Sequence, residues 1–209
     1  MLESKIIHVL GYSGHAYVVI DVALSNNLLV QSYFDRTQVE NNPYNLAYSG
    51  SENEVDVRAV IKSDFIFPAV GANGIRKKLV AFIEKHDLNQ TTLKAQSASI
   101  SKLTSIGLST FIGPKVIINS LGRIGKGCII NSGAILEHEC MVGNYCHIAP
   151  GAVLTGNVEI GNNSFIGANS VIIQGVSIGS NVVVGAGAVV IDNIPDNEIW
   201  VGNPAKRIR

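Results

Sequence analysis

The sequence predicts a two-part fold: a small parallel α/β unit, Rossmann-like, over residues 1–95, then a parallel β-helix with a C-terminal tail over 96–209. Three observations predict it. They are an unbroken six-residue aliphatic period, a glycine-rich strand–turn–helix near the N-terminus, and an apolar, turn-rich composition with 21 glycines, 46% hydrophobic and only 15% charged residues.

The period is the strongest. Stepping by six from Ile100 through Ile106, Ile112, Ile118, Ile124, Ile130, Leu136, Val142, Ile148, Leu154, Ile160, Ile166, Ile172, Ile178 and Val184 to Val190 meets an aliphatic side chain at all sixteen positions. Aliphatics fill about one position in four of an average chain, so chance does not produce such a run. Two residues before each of these the chain is small, from Ala98 to Ala188, and one residue after it glycine stands at eight of the sixteen places. Neither a helical nor a simple alternating period accounts for this. A short strand and a tight turn form one side of a coil, and three sides close a triangular turn. Side chains eighteen residues apart, such as Ile106, Ile124, Val142 and Ile160, then stack at the ~4.8 Å inter-strand spacing. The small residues are expected at the tight corners, and the glycines are expected to relieve backbone strain in the turns. Cys128, Cys140 and Cys146 all fall on the small phase; an odd count with no matching histidine spacing points to reduced, packed thiols rather than disulfides or zinc.

In the first hundred residues, Lys5 to Leu10 reads as a strand running into Gly11-Tyr-Ser13-Gly14-His15 and a helix over 16–25. Such a turn aims backbone N–H groups at a phosphate, although most glycine turns of this kind are purely structural. A second strand over 28–34 ends at Asp35, where dinucleotide folds place an acid against a ribose. A loop over 36–54, a third strand over 64–70 ending at Gly71, and a helix over 76–86 complete a unit whose ligand is expected at the C-terminal strand ends.

Sixteen basic and sixteen acidic residues balance to zero, which removes the footprint of a nucleic-acid binder. No segment is long and apolar enough to span a bilayer, and the N-terminal apolar run is too short for a signal core; a cytoplasmic protein is expected.

The coils hold two histidines, His138 and His147. His138 lies between Glu137 and Glu139, where it reads equally as a base with its carboxylate partner or as a solvated charged turn. A β-helix carbonic anhydrase would need three converging histidines, so no metal is expected. A non-enzymatic scaffold could share the same repeat.

Taken in order, Ser13-Gly14-His15, Asp35, Val70-Gly71, Ile75-Arg-Lys-Lys78, Asn131, Glu137-His138-Glu139-Cys140, His147 and Val201-Gly-Asn-Pro-Ala-Lys206 resemble the PglD-type, NeuD-like bacterial nucleotide-amino-sugar N-acetyltransferases of the hexapeptide-repeat superfamily. The resemblance implies a left-handed β-helix, a homotrimer with sites between neighbouring helices, and acetyl-CoA as co-substrate. It implies transfer to the amino group of a nucleotide-linked sugar of the UDP-4-amino-4,6-dideoxy type, in surface glycan synthesis. Sialic-acid-type O-acetylation and GDP-perosamine-type N-acetylation are the alternatives. His138 is the implied base and Glu139 its partner. His147, Ala168 and Ala186 are the implied acetyl-CoA contacts, and Ser13, Gly14, His15, Asp35, Arg36, Gly71 and Asn131 the implied substrate contacts.

Overall fold

The computed structural model describes residues 5–209. The N-terminal unit runs β1 (Ile6–Leu10), α1 (Gly14–Ser25), β2 (Leu29–Phe34), β3 (Ala47–Tyr48), α2 (Val57–Ile61), β4 (Phe65–Pro68) and α3 (Asn73–Lys85). Its four strands are parallel, in the order β3-β2-β1-β4. The chain moves from β1 outward to β2, then returns to the other side of β1 with β4, so a crevice opens between the loops after β1 and β4. That is the topological switch point at which such sheets bind ligands. The region expected as a loop over 36–54 contains β3, and the short helix α2 was not foreseen. Two paired residues and a five-residue helix are too brief to show a period.

From Leu93–Lys94 onward, two-residue strands follow one another every six residues on three parallel sheets. Register partners are eighteen apart throughout the body, as in Arg123↔Met141, Ile129↔His147 and Ile135↔Val153. The second residue of each pair points inward, and Ile112, Ile130, Ile148, Ile166 and Val184 are fully buried in one continuous core with the small residues Cys128, Ala134, Cys140, Cys146 and Ala152. The first residue points outward and gives each face its character. One face presents Phe111, Ile129, His147, Phe165 and Val183 and carries the N-terminal unit on its lower coils. The next is apolar, with Ile117, Ile135, Val153, Val171 and Val189. The third is polar, with Ser105, Arg123, Glu159 and Ser177 around Met141.

The glycines after the aliphatic positions do not relieve backbone strain. Gly107, Gly125, Gly161 and Gly167 have no positive φ; a Cβ on any of them would meet backbone of the next coil at 2.5–2.7 Å. They permit close coil stacking. The left-handed backbone falls two residues later, at Glu139, Tyr145, Asn157, Asn163, Asn169 and Gly175 among others. The stack closes with a shortened last coil, in which Val184 pairs with Trp200, and an antiparallel return of Lys206–Arg207 on Ile199–Val201.

Candidate active site

The crevice after β1 is held by Asp35. Its carboxylate accepts the Tyr12 N–H at 2.9 Å and the Arg36 N–H at 2.7 Å, which fixes the Gly11–Tyr12 turn while leaving each oxygen a further lone pair. Ser13 starts α1 in an extended conformation without a side-chain cap, and the first turn contains no acid. The helix N-terminus therefore has free N–H donors that suit an anion. Asp35, Arg36, Lys78, Gly11 and Val70 line a cleft of about 240 Å³ at this end of the sheet.

Arg76 joins the two units. It is buried to 1% exposure and no ion pair among the described residues uses it. Instead Nε donates to Gly127 O at 2.7 Å, Nη1 to Val70 O and Gly71 O, and Nη2 to Asn73 Oδ1, Tyr145 O and Cys146 O. One cation thus fixes the loop after β4 to the strand carrying His147. Burial lowers the Arg76 pKa to about 10, which leaves it charged at neutral pH.

Beside that anchor, Gly71, Asn73, His147, Asn163, Phe165 and Val183 line a cleft of about 500 Å³ between the N-terminal unit and the coils. The Asn131 amide is oriented by its Oδ1, which accepts the Ser132 N–H at 2.8 Å, and its Nδ2 then donates to His147 Nε2 at 3.1 Å. His147 therefore carries its proton on Nδ1. Burial, helped by the Arg76 and His15 charges and partly offset by the Gly71 backbone, pushes its pKa down to about 4. Burial, then the Arg76 guanidinium, brings His15 to about 4 as well. His15 packs edge-on against Phe111, and its buried Nε2 has no hydrogen-bond partner. Both rings are neutral at pH 7, suited to hydrogen bonding rather than to carrying charge.

His138 lies elsewhere, in the turn between the apolar face at Ile135–Leu136 and the polar face at Met141–Val142. Its Nδ1 donates to Glu139 Oε2 at 3.1 Å, and both side chains are slightly more than half exposed. The bond fixes the Nδ1–H tautomer and leaves Nε2 free to accept a proton. The ring lies directly over Gly156 in the next coil. Ala168 and Ala186 stack at the opposite edge of the apolar face, joined through the Gly187 N–H to Ala168 O bond at 2.8 Å. The structure thus brings Ser13, Gly14, His15, Asp35, Arg36, Gly71, Asn131 and His147 to one side of the chain. It separates His138 and Glu139 from them, and Ala168 and Ala186 occupy a third location. A larger concavity of about 740 Å³ runs along the polar face past Arg123, Met141 and Glu159 and includes neither histidine. Sequence reasoning named Arg76 only within the Ile75-Arg-Lys-Lys78 segment and gave it no role, had no signal for Asn73, and had none beyond the repeat for Phe165.

A β-helix built on a six-residue repeat defines the hexapeptide-repeat transferases, and residues 122–156 and 157–192 match the family described as bacterial transferase hexapeptide (six repeats). Residues 6–83 match the PglD N-terminal domain. The chain belongs to the PglD-type acetyltransferases of the hexapeptide-repeat superfamily, and its β-helix is left-handed. No curated protein matches the sequence. Among solved structures, perosamine N-acetyltransferase from Caulobacter crescentus, as a histidine-to-asparagine mutant with CoA and GDP-perosamine, is 29% identical with a TM-score of 0.92 over 99% of this chain and 98% of that one. The acetyltransferase domain of PglB from Neisseria gonorrhoeae, in complex with acetyl coenzyme A, is 28% identical with a TM-score of 0.90 over 98% and 100%. WeeI from Acinetobacter baumannii is 26% identical with a TM-score of 0.86 over 98% and 100%. No helix among the described residues is long and apolar enough to cross a membrane.

Proposed function

We propose that this chain transfers the acetyl group of acetyl-CoA to the amino group of a nucleotide-linked amino sugar, with His138 as general base and Glu139 as its partner. The observation that carries this is the exposed His138 Nδ1–Glu139 Oε2 pair, which leaves Nε2 open to a substrate proton. A sugar amine is largely protonated at neutral pH and becomes a nucleophile only as the free base, once that proton has passed to solvent. As its nitrogen attacks the thioester carbonyl, the N–C bond forms, His138 Nε2 accepts the amine proton, and the C–S bond breaks. The proton then passes to the departing thiolate, giving an amide and free CoA. The solved relatives bound to acetyl-CoA, or to CoA with GDP-perosamine, support this choice of substrates.

The nucleotide occupies the crevice of Asp35 and Arg36, with its phosphates at Ser13 and Gly14. The sugar extends past His15 and Gly71 toward Asn131 and His147, where an orphaned imidazole nitrogen and a neutral His–Asn pair offer hydrogen bonds without charge. The unit before Leu93 forms the nucleotide-sugar domain and the coils from Leu93 onward the acyl-transfer domain. Ala168, Ala186 and His147 contact acetyl-CoA.

His138 and His147 occupy different faces of one chain, so a complete site requires a neighbour. The apolar face, with Ile117 38% exposed, ends in the His138 turn on one side and the Ala168–Ala186 edge on the other. Three chains meeting through that face would bring one chain's His138 to the next chain's edge, a cyclic trimer with sites between subunits. His138→Ala should lower kcat by roughly 10²–10⁴. The assay is CoA release with UDP- and GDP-linked amino sugars, followed by the corresponding hydroxylated sugars. A near-normal rate would remove His138 from the chemistry, and turnover confined to the hydroxylated sugars would reassign the reaction to O-acetylation.

A further inference from the structure

We infer that Gly156 is a positioning residue for this reaction: the missing side chain leaves the space in which the His138 imidazole rests against Glu139. The inference builds on the assignment of His138 as the base. It comes from an irregularity in the repeat. Two residues after each aliphatic position the chain carries lysine, leucine, proline, serine, asparagine, alanine, glutamine, aspartate or the histidine itself, and Gly156 is the single glycine at that phase. Gly156 stands one coil on from His138, and its O and the His138 O accept equivalent coil-to-coil bonds, from the Gly175 and Asn157 N–H groups.

The backbone does not demand glycine there. Gly156 has no positive φ, unlike Gly133, Gly151, Gly175 and Gly187 in neighbouring turns. Nor does coil stacking, because the three heavy atoms nearest a Cβ on Gly156 all belong to the His138 ring: Cε1 at 2.5 Å, Nε2 at 2.6 Å and Nδ1 at 3.3 Å. At the stacking glycines the atoms met are mainly backbone of the adjacent coil, as with Gly161 and Gly167. Gly156 is therefore open for the imidazole alone. An ordinary carbon contact needs about 3.5 Å or more, so one added methyl would displace the ring by roughly 1 Å. The displaced ring would lose its bond to Glu139, and with it the fixed tautomer. The crowded atoms include Nε2, the nitrogen that must accept the proton.

The test compares Gly156→Ala, His138→Ala and the double variant. Gly156→Ala should lower kcat on the order of 10²-fold, the effect of a misplacement of about 1 Å, with KM for acetyl-CoA within about twofold of wild type. Placed in the His138→Ala background, the same substitution should change the residual rate by less than about twofold, because no ring remains to be displaced. Long-range 1H–15N spectra of the imidazole should show the Nδ1–H tautomer in wild type and a tautomer mixture in Gly156→Ala. A normal kcat in Gly156→Ala, with His138→Ala inactive, would overturn the inference and leave the base assignment standing. An equal loss in both backgrounds would also overturn it, by showing that Gly156 acts through something other than the ring. An active His138→Ala enzyme would remove the base assignment itself. Thermal melting reads the same contrast if folding suffers: recovery in the double variant supports a clash with the ring, and unfolding of both single and double glycine variants overturns the inference.

Discussion

In the proposed mechanism Glu139 is a single position that serves chemistry against local preference. It has φ +62, at a phase that Asn157, Asn163, Asn169, Gly133 and Gly151 fill elsewhere. A β-carbon in that conformation costs on the order of 1 kcal/mol, which glycine and asparagine largely avoid. Ser109, Lys115, Leu121 and Tyr145 share that conformation, but only at Glu139 does the side chain meet a coil histidine, the His138 Nδ1. Glu139→Gly should therefore raise the thermal midpoint while lowering kcat roughly tenfold, less than the loss expected for a general base itself. Melting curves and steady-state rates on one preparation test both halves, and a variant that gains stability without losing rate would leave Glu139 with no role. The thiols stand in contrast: Cys128, Cys140 and Cys146 are fully buried and fill the coil interior. Burial pushes the Cys128 pKa well up, consistent with an inert packed group.

Within the coils, glycines of identical composition meet different demands. Adding a methyl to Gly161 or Gly167 drives it into neighbouring backbone at 2.5 Å, which cannot yield without separating two coils. Gly175 and Gly187 have positive φ and open space around the missing Cβ. Alanine at Gly161 or Gly167 should destabilise by roughly 3 kcal/mol or more, but at Gly175 or Gly187 by only about 1–2 kcal/mol. Denaturant midpoints across the four variants would reveal the ordering, and equal losses would contradict it. The aliphatic period made the coils legible from residue types alone, since every inward position has to be apolar. It did not reveal which glycine feature each turn uses, because a close approach and a positive φ both select the same residue. The first strand at Leu93–Lys94 was invisible to the period, as Lys94 is exposed at the open end of the stack.

For the assembled molecule, buried neutral histidines link stability to pH. His15 and His147 have folded pKa values near 4 against about 6.5 when unfolded. Between those values the unfolded chain binds more protons, so stability should be level above about pH 6.5, fall as pH drops toward 4, and level off below. Each ring contributes on the order of 3 kcal/mol across that window. Melting measured from pH 7.5 to 4, with Asn replacing either ring, would test it; an undiminished slope in both variants would place the acid sensitivity elsewhere. The proposed assembly rests on the apolar face. A charge there, as in Val153→Glu, should prevent the proposed trimer from forming and abolish turnover while leaving the single-chain coil intact. Light scattering beside the activity assay would show this, and an active dissociated variant would mean that one chain holds a complete site.

The sequence determined the coil period, the order of the two units and the glycine turn, because each depends on residue type at fixed local spacing. Folding decided what depends on distant contacts. It determined that Arg76 sits buried among six acceptor contacts, that Asn131 orients His147, that His15 keeps an unmatched nitrogen, and that Gly156 lies beneath an imidazole eighteen residues earlier. A hydrophobic repeat prescribes which residues must leave water. It does not prescribe which polar atoms meet once they have, since hydrogen bonds act over a few ångströms between groups that the chain order leaves far apart.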